Sequence, residues 1–188
     1  MTPTLQLPPS VAPSQEPGHY ELVDGEIVRK TVGAAEIAIA NLLKEALADA
    51  VQAAKCGRTY VEMGFTMASG NGRRPDLAFV SYQTWARNRR IPPGDYMPVA
   101  PDLAVEIISL NELALAAQYK VQEYFESGVK QVWVVFPNIE QVYCYTSPTN
   151  VRILTRSDEL TADPLVPGFR LAVADLFPPH EDNHESNE

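Results

Sequence analysis

The spacing of apolar and polar positions along the chain predicts two amphipathic helices. In residues 33–57 the pattern begins at Glu36 and continues at helical spacing until Gly57 ends it. The residues on that face are Glu36, Ala40, Leu43, Leu47 and Ala50. In residues 112–127 a second apolar face is followed by Gly128. Its members are Leu113, Ala117, Val121, Tyr124 and Phe125.

Short runs rich in β-branched and aromatic residues predict strands around these helices. HYELVDGEIVRK reads as a hairpin turning at Asp24-Gly25, and TYVEMGFTM and RRPDLAFVS read as two strands joined by the Gly-rich loop ASGNG. PDLAVEIIS, QVWVVFP, QVYCYTS and VRILTR supply further strands, and LVPGFRLAVADLF closes the domain. This order predicts an α/β (α+β) domain, a mixed central sheet flanked by helices, over residues 19–178. Residues 1–18, rich in proline, and the acidic residues 179–188 are expected to be disordered.

The composition is that of one globular domain with a sizeable core. The 188 residues are 45% hydrophobic and 21% charged, without an apolar run long enough for a membrane span or a signal peptide. Two cysteines give neither a disulfide framework nor metal-ligand spacing, which suits a reducing compartment. We therefore expect a cytoplasmic protein.

Charge is unevenly distributed along the chain. The formal net charge is −9, but five acidic residues lie in the two terminal segments, which leaves −4 for residues 17–180. Residues 73–90 carry five arginines against one aspartate. They form either a patch that contacts nucleic-acid phosphates or a solvated loop. The arginines are Arg73, Arg74, Arg87, Arg89 and Arg90.

The supply of chemically active side chains excludes several enzyme classes. The three histidines, at positions 19, 180 and 184, lie at the edges of the predicted domain, so serine and cysteine triads and histidine-ligated zinc are excluded. The GNG at residues 70–72 lies between two strands and is a turn rather than a phosphate-binding loop. Carboxylates and lysines remain.

Glu106 stands inside an apolar strand, where an ionised carboxylate needs a compensating partner. If the strand that begins after Asp76 is its neighbour, the two carboxylates can converge and hold a hard cation such as Mg²⁺. Alternatively, Glu106 pairs with an arginine or reaches solvent at a sheet edge.

Two residues on the helices are further candidates. Glu36 points inward near the start of the first helix, although a carboxylate there also interacts favourably with the helix N-terminus. Lys120 flanks the buried face of the second helix, where a lysine commonly lays its stem on apolar surface and extends its ammonium into water.

Five blocks of sequence resemble the putative restriction endonuclease family, a large bacterial family of the PD-(D/E)XK nuclease superfamily. They are YELVDGEI, RRPDLAFV, PDLAVEIIS, KVQEYFESGVKQVWVV and LVPGFRLAVADLF, in the family's order across residues 19–178. The resemblance makes Asp76 the acid of the PD motif and Glu106 the second acid. The superfamily's lysine would stand at position 108, where this chain has Ile108, and Lys120 in the following helix matches the family's displaced lysine.

The resemblance implies an endonuclease that depends on Mg²⁺ or Mn²⁺ and acts on DNA. A homodimer is possible. Asp76, Glu106 and the main-chain carbonyl of Ile107 would hold the metal, and Lys120 would act on the attacking water. Glu36 would bind a second metal or position Lys120. A domain that keeps the fold and binds without turnover is the alternative, and hydrolysis of another phosphoester is a third possibility.

Overall fold

The computed structural model of the chain describes residues 19–109 and 114–177. Its helices are α1 (Ala34–Ala54) and α2 (Ala114–Glu126). Strands before α2 are β1 (His19–Val23), β2 (Glu26–Lys30), β3 (Gly57–Val61), β4 (Gly64–Thr66), β5 (Gly72–Arg73), β6 (Leu77–Ser81), β7 (Tyr96–Met97) and β8 (Leu103–Ile107). Strands after α2 are β9 (Gln131–Phe136), β10 (Gln141–Ser147), β11 (Asn150–Leu154), β12 (Glu159–Thr161) and β13 (Arg170–Ala172). Predictions of disorder for residues 1–18 and 179–188 fall on residues outside the described ranges.

A six-stranded mixed sheet in the order β11-β10-β9-β8-β6-β3 forms the centre of the domain. The pairs are antiparallel except for β8 and β9, which are parallel because α2 connects them as a crossover helix. The apolar residues of α1 pack on one face of this sheet, and those of α2 pack on the other. The predicted fold class, a mixed central sheet flanked by helices, is confirmed.

A second sheet, in the order β2-β1-β5-β4-β7, includes the predicted hairpin and two interruptions that the sequence did not reveal. TYVEMGFTM is not one strand, because Glu62 adopts a left-handed conformation (φ 51°) that ends β3 and sends β4 into this second sheet. RRPDLAFVS is also divided, between β5 in the second sheet and β6 in the central sheet. A third, two-stranded sheet pairs β12 with β13.

The alternation of side chains along β6 and β8 decides which residues face α2. Ala78 and Ala104 belong to the α2 side of the core, whereas Leu77 and Val105 belong to the α1 side. Because successive side chains alternate, the residue before Leu77 and the residue after Val105 also face α2. These two residues are Asp76 and Glu106.

Helix α1 ends slightly earlier than predicted. Lys55 takes the left-handed conformation (φ 51°) and its N–H bonds to the carbonyls of Val51 and Gln52, so the helix ends at Ala54, three residues before Gly57. Neither helix within the described ranges is long and apolar enough to cross a membrane.

Candidate active site

Asp76 and Glu106 lie side by side at the ends of neighbouring strands. Leu77 pairs with Val105 across β6 and β8, so continuing that register by one residue sets Asp76 opposite Glu106. The Cβ atoms of two directly opposite residues lie about 5 Å apart. Both residues are buried, at 3% and 2% exposure, and the main-chain N–H of Ile107 donates to Asp76 Oδ2 at 2.6 Å.

Helix α2 supplies the direct partners of Glu106. Lys120 Nζ donates to Glu106 Oε2 at 3.0 Å, and the buried Tyr124 hydroxyl donates to Oε1 at 2.6 Å. Lys120 and Tyr124 are four residues apart, so they lie on the same face of the helix. The Lys120 side chain is only 13% exposed, so its ammonium is directed into the site and not into solvent.

The β1–β2 hairpin supplies a second lysine, which the sequence analysis did not identify. Lys30 Nζ donates to Asp76 Oδ1 at 2.7 Å, to Glu62 Oε1 at 3.0 Å and to the carbonyl of Arg74 at 2.7 Å. The side chain is 11% exposed. Each carboxylate of the Asp76–Glu106 pair therefore has its own lysine, one from the hairpin and one from α2.

A further buried ionic group extends the site along the second sheet. Arg73 contacts Glu21 Oε2 at 3.1 Å and Glu123 Oε2 at 2.5 Å. Glu21 in turn lies 3.8 Å from Lys120 Nζ and accepts the main-chain N–H of Arg74. The two sheets and α2 are thus joined by one continuous set of charged contacts.

The two facing carboxylates differ in how readily they ionise. Burial and the nearby Glu106 charge raise the pKa of Asp76 from 3.8 to about 7 despite its bond to Lys30. Burial would also raise the pKa of Glu106, but Lys120, Lys30 and the Tyr124 hydroxyl outweigh it, and the pKa is lowered. Burial would lower the pKa of Lys30, but Glu106, Asp76 and Glu62 outweigh it and raise the value. Asp76 therefore ionises less readily than Glu106, although each carboxylate has its own lysine.

The two carboxylates open onto a cavity of about 880 Å³ between the hairpin and α2. Seven acidic residues line it against four basic ones, an excess of negative charge that favours a bound cation. Within the described ranges no three His, Cys, Asp or Glu side chains converge as metal ligands. Two carboxylates with waters suit Mg²⁺, which retains several waters and takes few protein ligands. The donor set therefore fits a hard divalent cation at Asp76 and Glu106.

Glu36 lines the same cavity from the start of α1, which packs on the opposite face of the central sheet. It is half-buried, and its carboxylate turns back toward its own helix start, so that a Cβ on Gly33 would clash with Oε2. Glu36 therefore lies near the start of its own helix, as the alternative interpretation predicts, and also beside the cavity. Ile107 contacts Asp76 through its main-chain N–H and not through the carbonyl that was predicted as a metal ligand.

The five arginines do not form one surface patch. Arg73 is buried at 9% exposure and is paired with carboxylates, so it is part of the site and is not available to a nucleic-acid backbone. Arg74 donates to the carbonyls of Tyr20 and Glu62. The other three are exposed beyond the far end of β6, a five-residue strand that is about 16 Å long. They are Arg87, Arg89 and Arg90.

A family model described as "Putative restriction endonuclease", Uma2, matches residues 4–174. This chain belongs to the Uma2 family. The resemblance seen in the sequence is therefore confirmed. No protein with a curated description matches the chain.

A solved structure shares the Uma2 chain's fold. It is described as a putative nuclease belonging to DUF820 from Anabaena variabilis, with 18% sequence identity and a TM-score of 0.74. The match covers 84% of this chain and 89% of the other. At this identity the likeness establishes the fold alone.

Proposed function

We propose that this chain is a divalent-metal-dependent endonuclease that hydrolyses DNA phosphodiester bonds. The observation that carries the proposal is the buried Asp76–Glu106 pair, on adjacent strands of a nuclease fold, at a cavity with excess negative charge. Two such carboxylates with a main-chain carbonyl, proposed here as that of Ile107, are a suitable ligand set for Mg²⁺ or Mn²⁺. The bound ion would polarise the scissile phosphate and lower the pKa of a water.

The lysine and tyrosine on α2 would keep the site in a productive arrangement. Tyr124 and Lys120 hold the two oxygens of Glu106 in fixed directions. The Lys120 ammonium lies beside the Asp76–Glu106 pair, where it would orient the attacking water and offset the negative charge that builds on the phosphate. Glu36, at the rim of the cavity, would interact with a second ion or with water near Lys120.

The exposed arginines remain proposed contacts for the DNA backbone. Arg87, Arg89 and Arg90 are exposed, at the end of β6 away from Asp76. Replacing each by methionine should weaken binding of any DNA sequence alike and reduce its salt dependence. Two protomers would be needed to cut both strands in one encounter, and a homodimer is therefore part of the proposal, tested by light scattering of the purified chain.

The experiment follows nicking of supercoiled DNA in Mg²⁺ and in Mn²⁺. Glu106→Gln, Asp76→Asn and Lys120→Met should each lose nearly all cleavage. Asp102→Asn is the matched control, because Asp102 is also a buried acid after a proline but precedes β8 and contacts Ser81, Thr84 and Lys130. Full cleavage by the control with none by the site variants supports the proposal. Equal cleavage by all four would identify a contaminating nuclease.

A non-catalytic binding domain is the second candidate. One observation favours it: the four oxygens of Asp76 and Glu106 already accept bonds from Lys30, Ile107, Lys120 and Tyr124. Such a set of contacts is stable without a metal. A parent protein that neither nicks DNA nor shows a higher melting temperature with Mg²⁺ or Mn²⁺ would establish this candidate in place of the enzyme.

A further inference from the structure

Lys30 has a complete set of acceptors at the site. An ammonium has three donor hydrogens, and Lys30 Nζ has three acceptors within 3.0 Å: Asp76 Oδ1, Glu62 Oε1 and the Arg74 carbonyl. A divalent cation bound to Asp76 would stand next to this ammonium, and the two positive charges would repel each other. The bond between Lys30 and Asp76 is therefore the one that metal binding disturbs.

The three residues are divided between two neighbouring cavities. Asp76 lines the site cavity, Glu62 lines a separate cavity of about 460 Å³, and Lys30 lines both. A small rotation of the Lys30 side chain toward Glu62 thus takes its charge out of the site while one of its ionic contacts is kept.

Glu62 is held firmly in the position of an alternative acceptor. Its backbone has φ 51°, a conformation uncommon for a residue with a side chain, and its N–H bonds to the carbonyl of Asp76. The Arg74 guanidinium donates to its carbonyl oxygen. Its other carboxylate oxygen accepts from His19 at 2.8 Å. The main chain therefore fixes this carboxylate beside Lys30.

We infer that Lys30 is a tethered counter-ion of the carboxylate pair, which a divalent cation displaces from Asp76 and which Glu62 then receives. The inference rests on the proposed function, because it places the metal at Asp76 and Glu106. Lys30 stabilises the metal-free protein and competes with the ion, so it sets the metal concentration at which the site fills. Glu62 reduces that competition by accepting the displaced ammonium.

Calorimetric titration of the purified full chain with Mn²⁺, without DNA, tests the inference through two opposite effects. Lys30→Met keeps the length of the side chain and removes the competitor, so Mn²⁺ affinity should rise by about tenfold or more. Glu62→Gln removes the acceptor for the displaced charge, so affinity should fall several-fold. Arg29→Met is the matched control, because Arg29 is the adjacent residue, lines both cavities and is exposed. It should change affinity by less than about threefold.

The outcomes separate this inference from the proposed function. If the parent binds Mn²⁺ and Lys30→Met binds equally or more weakly, Lys30 is not a competitor, and the metal site itself stands. If neither protein binds Mn²⁺, both the inference and the metal site are wrong. An increase in Arg29→Met as large as that in Lys30→Met would show a general charge effect and overturn the inference. Should Lys30→Met fail to fold, an unchanged or higher affinity in Glu62→Gln would overturn it.

Discussion

Asp76→Asn is expected to abolish a pH-dependent loss of stability in the metal-free protein. The folded state raises the pKa of Asp76 from 3.8 to about 7, through burial and the charge of Glu106. Between these values the folded chain retains a proton that the unfolded chain has released. The free energy of unfolding of the parent therefore falls as pH rises through this window, and it levels off above pH 7.

The size of the effect follows from the pKa difference. One pKa unit corresponds to about 1.4 kcal/mol, so the group contributes a fall of about 1.4 kcal/mol per pH unit and about 4 kcal/mol across the window. Asparagine carries no titrating proton and can still accept the bond from the Ile107 N–H. Its substitution should remove the slope and leave only a constant difference, caused by the changed contact with Lys30.

Urea unfolding in EDTA at intervals from pH 4 to pH 8.5 measures this quantity. The stability difference between the Asp76→Asn variant and the parent should change in favour of the variant as pH rises. Ionisable groups away from the site are the same in both proteins, so their contributions cancel in the difference. With saturating Mn²⁺ the parent's slope should diminish, because a bound cation favours the ionised carboxylate. A difference that stays constant from pH 4 to pH 8.5 would refute the assignment of a raised pKa to Asp76.

Three further substitutions test other contacts of the site. Tyr124→Phe keeps the packing but removes the donor to Glu106, so the free energy of unfolding should fall by about 1–3 kcal/mol and nicking should weaken, as urea unfolding and plasmid assays would show. Asp102→Asn should destabilise the fold at pH 7 by about 1–3 kcal/mol, because Lys130, Ser81 and Thr84 lower the pKa of Asp102 despite its burial, and urea unfolding should show this difference shrink as pH falls below about 4. Arg73→Met removes the guanidinium that the buried Glu21 shares with the half-buried Glu123, so the free energy of unfolding should fall by about 3–5 kcal/mol in urea; this loss of stability, and not a lower affinity for DNA, should be the main effect.

The parts of the fold that follow a local pattern were predictable. Both helices and the hairpin at Asp24-Gly25 have regular apolar spacing or turn residues, and they form as predicted. The switch between sheets at Glu62 was not predictable, because a glutamate with positive φ carries no turn signal and TYVEMGFTM alternates as one strand would. That switch is dictated by tertiary packing, which overrides the local preference.

The candidate site, like the fold, was predictable only in part. Asp76 and Glu106 could be placed together because strand alternation and one assumption about neighbouring strands were sufficient. Lys30 and Glu21 were missed because their partners are distant in sequence: Asp76 lies 46 residues from Lys30, beside the central sheet, and Arg73 lies 52 residues from Glu21. The one local signal was the charge of Glu21 within the short strand YELV, a placement similar to that of Glu106 in its own strand. That signal would have identified Glu21, but a lysine at a strand end gives no comparable warning.

The division of the site among two sheets and a helix also has a kinetic consequence. The bonds Lys120–Glu106, Lys30–Asp76 and Arg73–Glu21 close loops of 14, 46 and 52 residues, and the longer of these contacts are entropically costly to form early in folding. Only one registered residue pair, Leu22 with Gly72, joins the hairpin to β5. We therefore expect the carboxylate pair to assemble on the central sheet first and to acquire Lys30 only when the hairpin docks. A chain in which the hairpin has not yet docked would have a folded core, but its carboxylate pair would lack Lys30. Metal present during refolding would then bind before the lysine and change the order of the last folding steps.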